Sequence, residues 1–175
     1  MKRWFWLLFS LAGFMASCAP FSRDIMRQVD PTLTFGEIQK DPQPYLGKTV
    51  LWGGIIIETT NRASETYITV RKTALDYEKR PMNADRSEGR FIIRYNGFLD
   101  PAVFKQGREI TIAGEIAGKE VQAIGQTNYV YPVILARAIH LWQPPAVYPY
   151  YPPWYWGPYP WGYPYPYWHY RPYWW

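Results

Sequence analysis

TVLWGGIIIETT, residues Thr49 to Thr60, is nearly continuous apolar sequence interrupted by Gly53 and Gly54, and it decides the fold class. It reads as the first of several β-rich segments. Paired glycines inside a strand predict a bulge or a sharp bend, as needed where a barrel strand turns a corner. Asn61-Arg62-Ala63 reads as a turn, after which Thr66 to Arg71 alternates and places Ile68 and Val70 on one face. Beyond it, Lys72 to Glu88 is polar and charged, and reads as a long loop. Arg90 to Tyr95 alternates again, with Phe91, Ile93 and Tyr95 together.

In NGFLDPAVFKQG, Asp100 is placed to cap a helix, Pro101 suits its first position and Gly107 suits its end. One or two helical turns are expected there. Glu109 to Glu115 then sets Ile110, Ile112 and Gly114 on one side, and a Gly/polar connection leads to a last strand over Tyr129–Trp142. Upstream of Thr49, Thr34 with Glu37 three residues later is a capping-box pattern, predicting a short helix to about Lys40 that Pro42 and Pro44 end. The predicted fold is all-β: a small five-stranded OB-like barrel with a short helix between strands 3 and 4, over residues 34–142. Closure hides the edges and apolar faces of five amphipathic strands. Another small β-barrel or an open antiparallel sheet is the alternative.

The chain starts MKRWFWLLFSLAGFMASCAP. Lys2 and Arg3 form a positive region, Trp4 to Met15 is an uncharged apolar run, and Ala16 and Ser17 are small residues before Cys18. This is the layout of a signal peptide over residues 1–17, and the run is shorter than the ~20 apolar residues a spanning helix needs. An uncleaved anchor with an incidental cysteine is the weaker reading, because charge, length, small residues and Cys18 agree. Cys18 is the one cysteine of the chain, which leaves no partner for a disulfide and no multi-cysteine metal site. Residues 18–33, polar and with Pro20 and Pro31, are expected to be a linker between a lipid on Cys18 and the domain.

Met15-Ala16-Ser17-Cys18 resembles a bacterial lipobox, with Met15 where Leu is commoner. YLGKTVLWGGII, GFLDP, ITIAGEIAG and the final YPVI with IHLW resemble the Slp family of starvation-inducible outer-membrane lipoproteins, over most of residues 33–142. The resemblance implies lipid attachment at Cys18, removal of the leader and residence in the envelope, without an established catalytic activity. Ala19 rather than Asp after Cys18 implies the outer membrane by the enterobacterial sorting rule. Three acyl chains exceed the two signals needed for stable anchoring.

From Gln143 to Trp175 the composition changes abruptly, to ten prolines, ten tyrosines and six tryptophans, with Arg171 the one Lys, Arg, Asp or Glu. So many prolines oppose helix and ladder and favour extended, polyproline-II-like chain. The rings of Tyr150, Trp154, Trp156, Trp161, Trp168 and Trp174 are candidates for interaction with a bilayer headgroup layer, with sugar faces of peptidoglycan or lipopolysaccharide, or with an envelope protein. Wrapping of the tail on its own barrel, or self-association, is the plain alternative.

The net charge of +5 divides unevenly. Without Lys2, Arg3 and Arg171, the middle of the chain carries 16 basic against 14 acidic residues, a net 16 − 14 = +2. That balance argues against nucleic acid, which needs clustered Lys and Arg. His140 and His169 are the two histidines, and no Ser/His/Asp arrangement, HExxH, phosphate loop or dinucleotide fingerprint is present. Asp76, Glu78, Asp85 and Glu88 lie among Lys79, Arg80 and Arg86, and read as a solvated surface of mixed sign. No enzyme, cofactor or metal is therefore expected. The expected role is structural or interactive in the envelope, related to stress, at the periplasmic side of the outer membrane; glycan binding by the barrel face or tail is the alternative.

Overall fold

The computed structural model describes residues 20–82 and 86–144. The leader, Cys18 and the six tail rings named above lie outside the described residues. Five strands, β1 (Thr49–Arg62), β2 (Glu65–Thr73), β3 (Gly89–Asn96), β4 (Glu109–Ile124) and β5 (Thr127–Leu141), close into a barrel in the order β1-β2-β3-β5-β4. Every neighbouring pair is antiparallel except β3 and β5, which run parallel through Ile92↔Val133, Ile93↔Ile134 and Arg94↔Leu135. This is the five-stranded Greek-key order of an OB-like barrel.

Alternation along the strands builds the interior. Val50, Trp52, Ile56, Ile68, Val70, Phe91, Ile93, Ile110, Ile112, Ile116 and Ile134 form one buried cluster. Among the described residues two α-helices precede the barrel, α1 (Arg23–Gln28) and α2 (Phe35–Lys40). At the start of α2, the Thr34 hydroxyl accepts from the Glu37 amide and the Glu37 carboxylate accepts from the Thr34 amide, each at 3.4 Å. The capping box thus fixes α2 so that Phe35 and Ile38 join the barrel core. The rings continue the packing edge-to-face, Phe35 to Trp52 at 5.1 Å and Trp52 to Phe91 at 5.3 Å.

The glycines of β1 act through close approach. Gly53, Gly54 and Ile55 pair with β2 on one side and β4 on the other. A Cβ on Gly54 would collide with the Arg71 carbonyl, and one on Gly53 would sit 2.8 Å from the Ile110 carbonyl. The bulge falls later, between Ile56 and Glu58, where the register with β2 shifts.

Four segments depart from the sequence reading. The stretch expected to be a helix between β3 and β4 is a single turn: the Asp100 carbonyl accepts from Val103 and Phe104, and nothing continues it. Its few residues before Gly107 give too few hydrogen bonds to sustain a helix. The Gly/polar connection expected after Glu115 is strand, because β4 and β5 stay paired out to Ile124↔Thr127, bulging between Ile116 and Gly118. Within 72–88, Lys72 and Thr73 end β2 and are buried, and Leu75 bridges Pro81. Within 20–33, α1 forms, Phe21 is buried, and Val29 bridges Thr49.

Candidate functional site

The chain enters the described domain at Pro20 and leaves it at Trp142–Pro144, and both points border one cleft. Its volume is about 440 Å³. Phe21 and Met26 form one wall, Tyr77 and Lys79 a second, His140 and Trp142 a third. Ser22 starts α1 by accepting the Ile25 amide at 3.4 Å, which carries Met26 to the cleft. The end of β5 supplies His140 and Trp142 two residues apart, on the same side of the strand.

The rings are held by their neighbours. His140 lies edge-to-face with Trp142 at 4.4 Å and with Phe21 at 6.4 Å. The Trp142 indole N–H donates to the Thr111 hydroxyl at 2.9 Å, and that hydroxyl donates to the Lys79 carbonyl at 2.7 Å. Thr111 is fully buried, so this relay ties β4, β5 and the 74–82 segment together without water. Arg80 reinforces it, donating to Glu109 at 2.6 Å and to the Gln143 carbonyl at 3.2 Å, with its guanidinium 5.6 Å from the Trp142 ring. Tyr77 projects outward and is 87 % exposed. A hydrogen bond with the neighbouring Glu78 carboxylate raises the Tyr77 phenol above its ordinary pKa.

A second cavity, about 370 Å³, lies between α1 and the barrel and is lined by Met26, Leu33, Trp52, Lys72 and Glu88 among others. Lys72 is 8 % exposed and donates to Glu88 at 2.6 Å, while its ammonium lies 5.5 Å from the Phe35 ring and 5.9 Å from Trp52. The lysine is thereby satisfied by a carboxylate and two ring faces, a structural role.

Acidic residues of the 72–88 stretch, and Asp100, serve local structure. Asp76 accepts the Arg80 amide at 2.8 Å, Glu88 holds Lys72, and Asp100 accepts the Ala102 amide at 2.8 Å. Asp85 lies outside the described residues. No cluster of three or more His, Cys, Asp or Glu that could hold a metal occurs among the described residues. No helix among them is long and apolar enough to cross a membrane.

The outer face of β2 and β3, the surface on which OB-like barrels take oligosaccharides, is already occupied. Arg62 covers the Tyr67 ring at 4.3 Å, the Tyr67 hydroxyl donates to Glu65 at 2.9 Å, and Ile92 is buried with Tyr131 and Val133. The cleft was not legible in the sequence, because Phe21, Tyr77 and Trp142 come from three distant segments. A lone Phe21 in a polar stretch was its one trace.

Comparison with known proteins agrees with the family resemblance read from the sequence. Residues 15–174 match the model of the outer membrane lipoprotein Slp family. The chain is 27 % identical over 138 residues to outer membrane protein Slp of Escherichia coli, covering 78 % of this chain and 73 % of that protein. It is 31 % identical over 130 residues to the E. coli lipoprotein YeaY, covering 72 % and 67 % respectively. An uncharacterized protein of Haemophilus influenzae is 38 % identical over 104 residues, 59 % of this chain and a little over half, 56 %, of the relative. None of the three carries an enzyme's name. With a barrel of the expected topology and a match running over residues 15–174, this chain belongs to the outer membrane lipoprotein Slp family and is a lipid-anchored protein of the outer membrane.

Proposed function

We propose that the protein is cut before Cys18, carries lipid on that cysteine, and serves as a non-catalytic interaction module of the cell envelope on the periplasmic side. The observation that carries the reading is that the family match begins at residue 15, taking in Met15-Ala16-Ser17-Cys18. The domain then begins folding at Phe21, so the lipid and the barrel are joined by only a few residues. The Pro/Tyr/Trp tail supplies a further contact, with glycan or envelope protein, and the role fits maintenance of the envelope under stress. Glycan binding as the main activity has less support on the barrel, where Tyr67 is covered by Arg62, and rests on the tail rings.

The test is the intact mass of protein extracted from its native membranes. The expected mass is that of residues 18–175 with three acyl chains, and Cys18→Ala should leave the protein full-length and unacylated. A wild-type mass matching unmodified residues 1–175 would sink the proposal.

A further inference from the structure

We propose that the aromatic cleft marks the face of the barrel laid against the phospholipid leaflet, with Tyr77 and the exposed part of Trp142 at headgroup depth and Lys79 against lipid phosphate. This rests on the lipid anchor at Cys18 and adds an orientation to it.

Reach gives the first reason. Cys18 precedes Pro20 by two residues, and two residues span at most about 7 Å. An acylated Cys18 therefore holds the cleft beside the headgroups. The far end of the β4–β5 hairpin is remote from that point, since the ladder runs through fourteen pairs from Ile110↔Leu141 to Ile124↔Thr127. At ~3.3 Å per residue that ladder measures about 45 Å along the strands.

Chemistry gives the second reason. Tyr77 is the most exposed of the large apolar side chains among the described residues. An aromatic ring with a hydroxyl at its tip is unfavourably placed in water and well placed in the bilayer interface, apolar body inward and polar tip outward. Lys79 sits two residues on, in a left-handed conformation at φ 70° that Thr111 secures through the Lys79 carbonyl. It makes no ion pair among the described residues, whereas neighbouring Arg80 is committed to Glu109. Lys79 lines the cleft with the exposed Tyr77 ring and the half-buried Trp142, beside the Glu78 carboxylate, and its ammonium would meet a lipid phosphate at the cleft mouth. The rival face is the β3–β4 loop, where Phe98 is 72 % exposed, at the end of β2 opposite Thr73.

The experiment compares these two faces in the mature lipoprotein. Single cysteines are placed by Glu78→Cys and Ala102→Cys, the acylated Cys18 being unavailable to label, and carry an environment-sensitive dye. Vesicles of phosphatidylethanolamine and phosphatidylglycerol contain a nitroxide lipid quencher. Quenching several-fold stronger at 78 than at 102 is expected, falling to the level of 102 when Tyr77→Ala and Lys79→Glu are added. Equal quenching, or stronger quenching at 102, would overturn the proposed face. The same labels on residues 19–175, tethered by an N-terminal hexahistidine tag to nickel-chelating lipid, separate the two ideas. Strong quenching at 78 there, with an unacylated native mass, refutes the anchor and keeps the face; an acylated mass with equal quenching refutes the face alone.

Discussion

Ile92 and Ile93 are adjacent in β3, are 1 % and 0 % exposed, and belong to different hydrophobic clusters. Ile93 points into the barrel, where all five strands and α2 surround it. Ile92 points outward, and is covered by Tyr131 and Val133 of β5, with Tyr67, Tyr129 and Ile124 packed at the margin. The inner cluster follows from closing a sheet on itself. The outer one exists because β4 and β5 continue past the barrel, so that the hairpin's aromatics cover β3. Equal burial thus has two origins: one intrinsic to the barrel, the other added by a single long hairpin.

The same substitution at both positions tests that difference. Ile93→Ala leaves a void that the closed barrel cannot collapse, and a loss of roughly 4–5 kcal/mol is expected, at the upper end for such truncations. It should appear as a lower midpoint in urea denaturation with an unchanged slope. Ile92→Ala should cost about 2–3 kcal/mol, because Tyr131 and Tyr129 can settle into the gap. Equal losses would mean that the hairpin packs as rigidly as the barrel, and the distinction would fail. The smallest effect belongs to α2: Thr34→Ala removes its cap and should cost about 1 kcal/mol by the same measurement.

The interior was legible because it obeys a period of two. Ile68 with Val70, Phe91 with Ile93, and Ile110 with Ile112 each alternate with residues on the other face, and the Thr34–Glu37 pair announced α2. What escaped was structure without that contrast. In the outer half of β4, from Ala117 to Ile124, the residues alternate only between exposed and half-buried, so Lys-Glu-Val-Gln reads as a connection. Lys72 looked like the start of a polar loop, whereas its aliphatic stem and ammonium are accommodated by Phe35, Trp52 and Glu88. The residues after Cys18 looked like a linker because their burial depends on Phe21 meeting His140, a partner more than a hundred positions away. Tertiary proximity of this kind leaves no periodic trace.

The parallel pairing of β3 with β5 also sets an order of events during folding. β5 is the last of the described strands along the chain, and it fills the place between β3 and β4. Until it arrives, β3 and β4 each present an unpaired edge, the feature of β-sheets most prone to join a neighbouring chain. The hairpin shortens the search, because β5 zips onto β4 by local contacts from Gly125 backward before it must find Ile92, 41 positions upstream of its partner Val133. The extension that projects beyond the barrel therefore doubles as the guide that closes it.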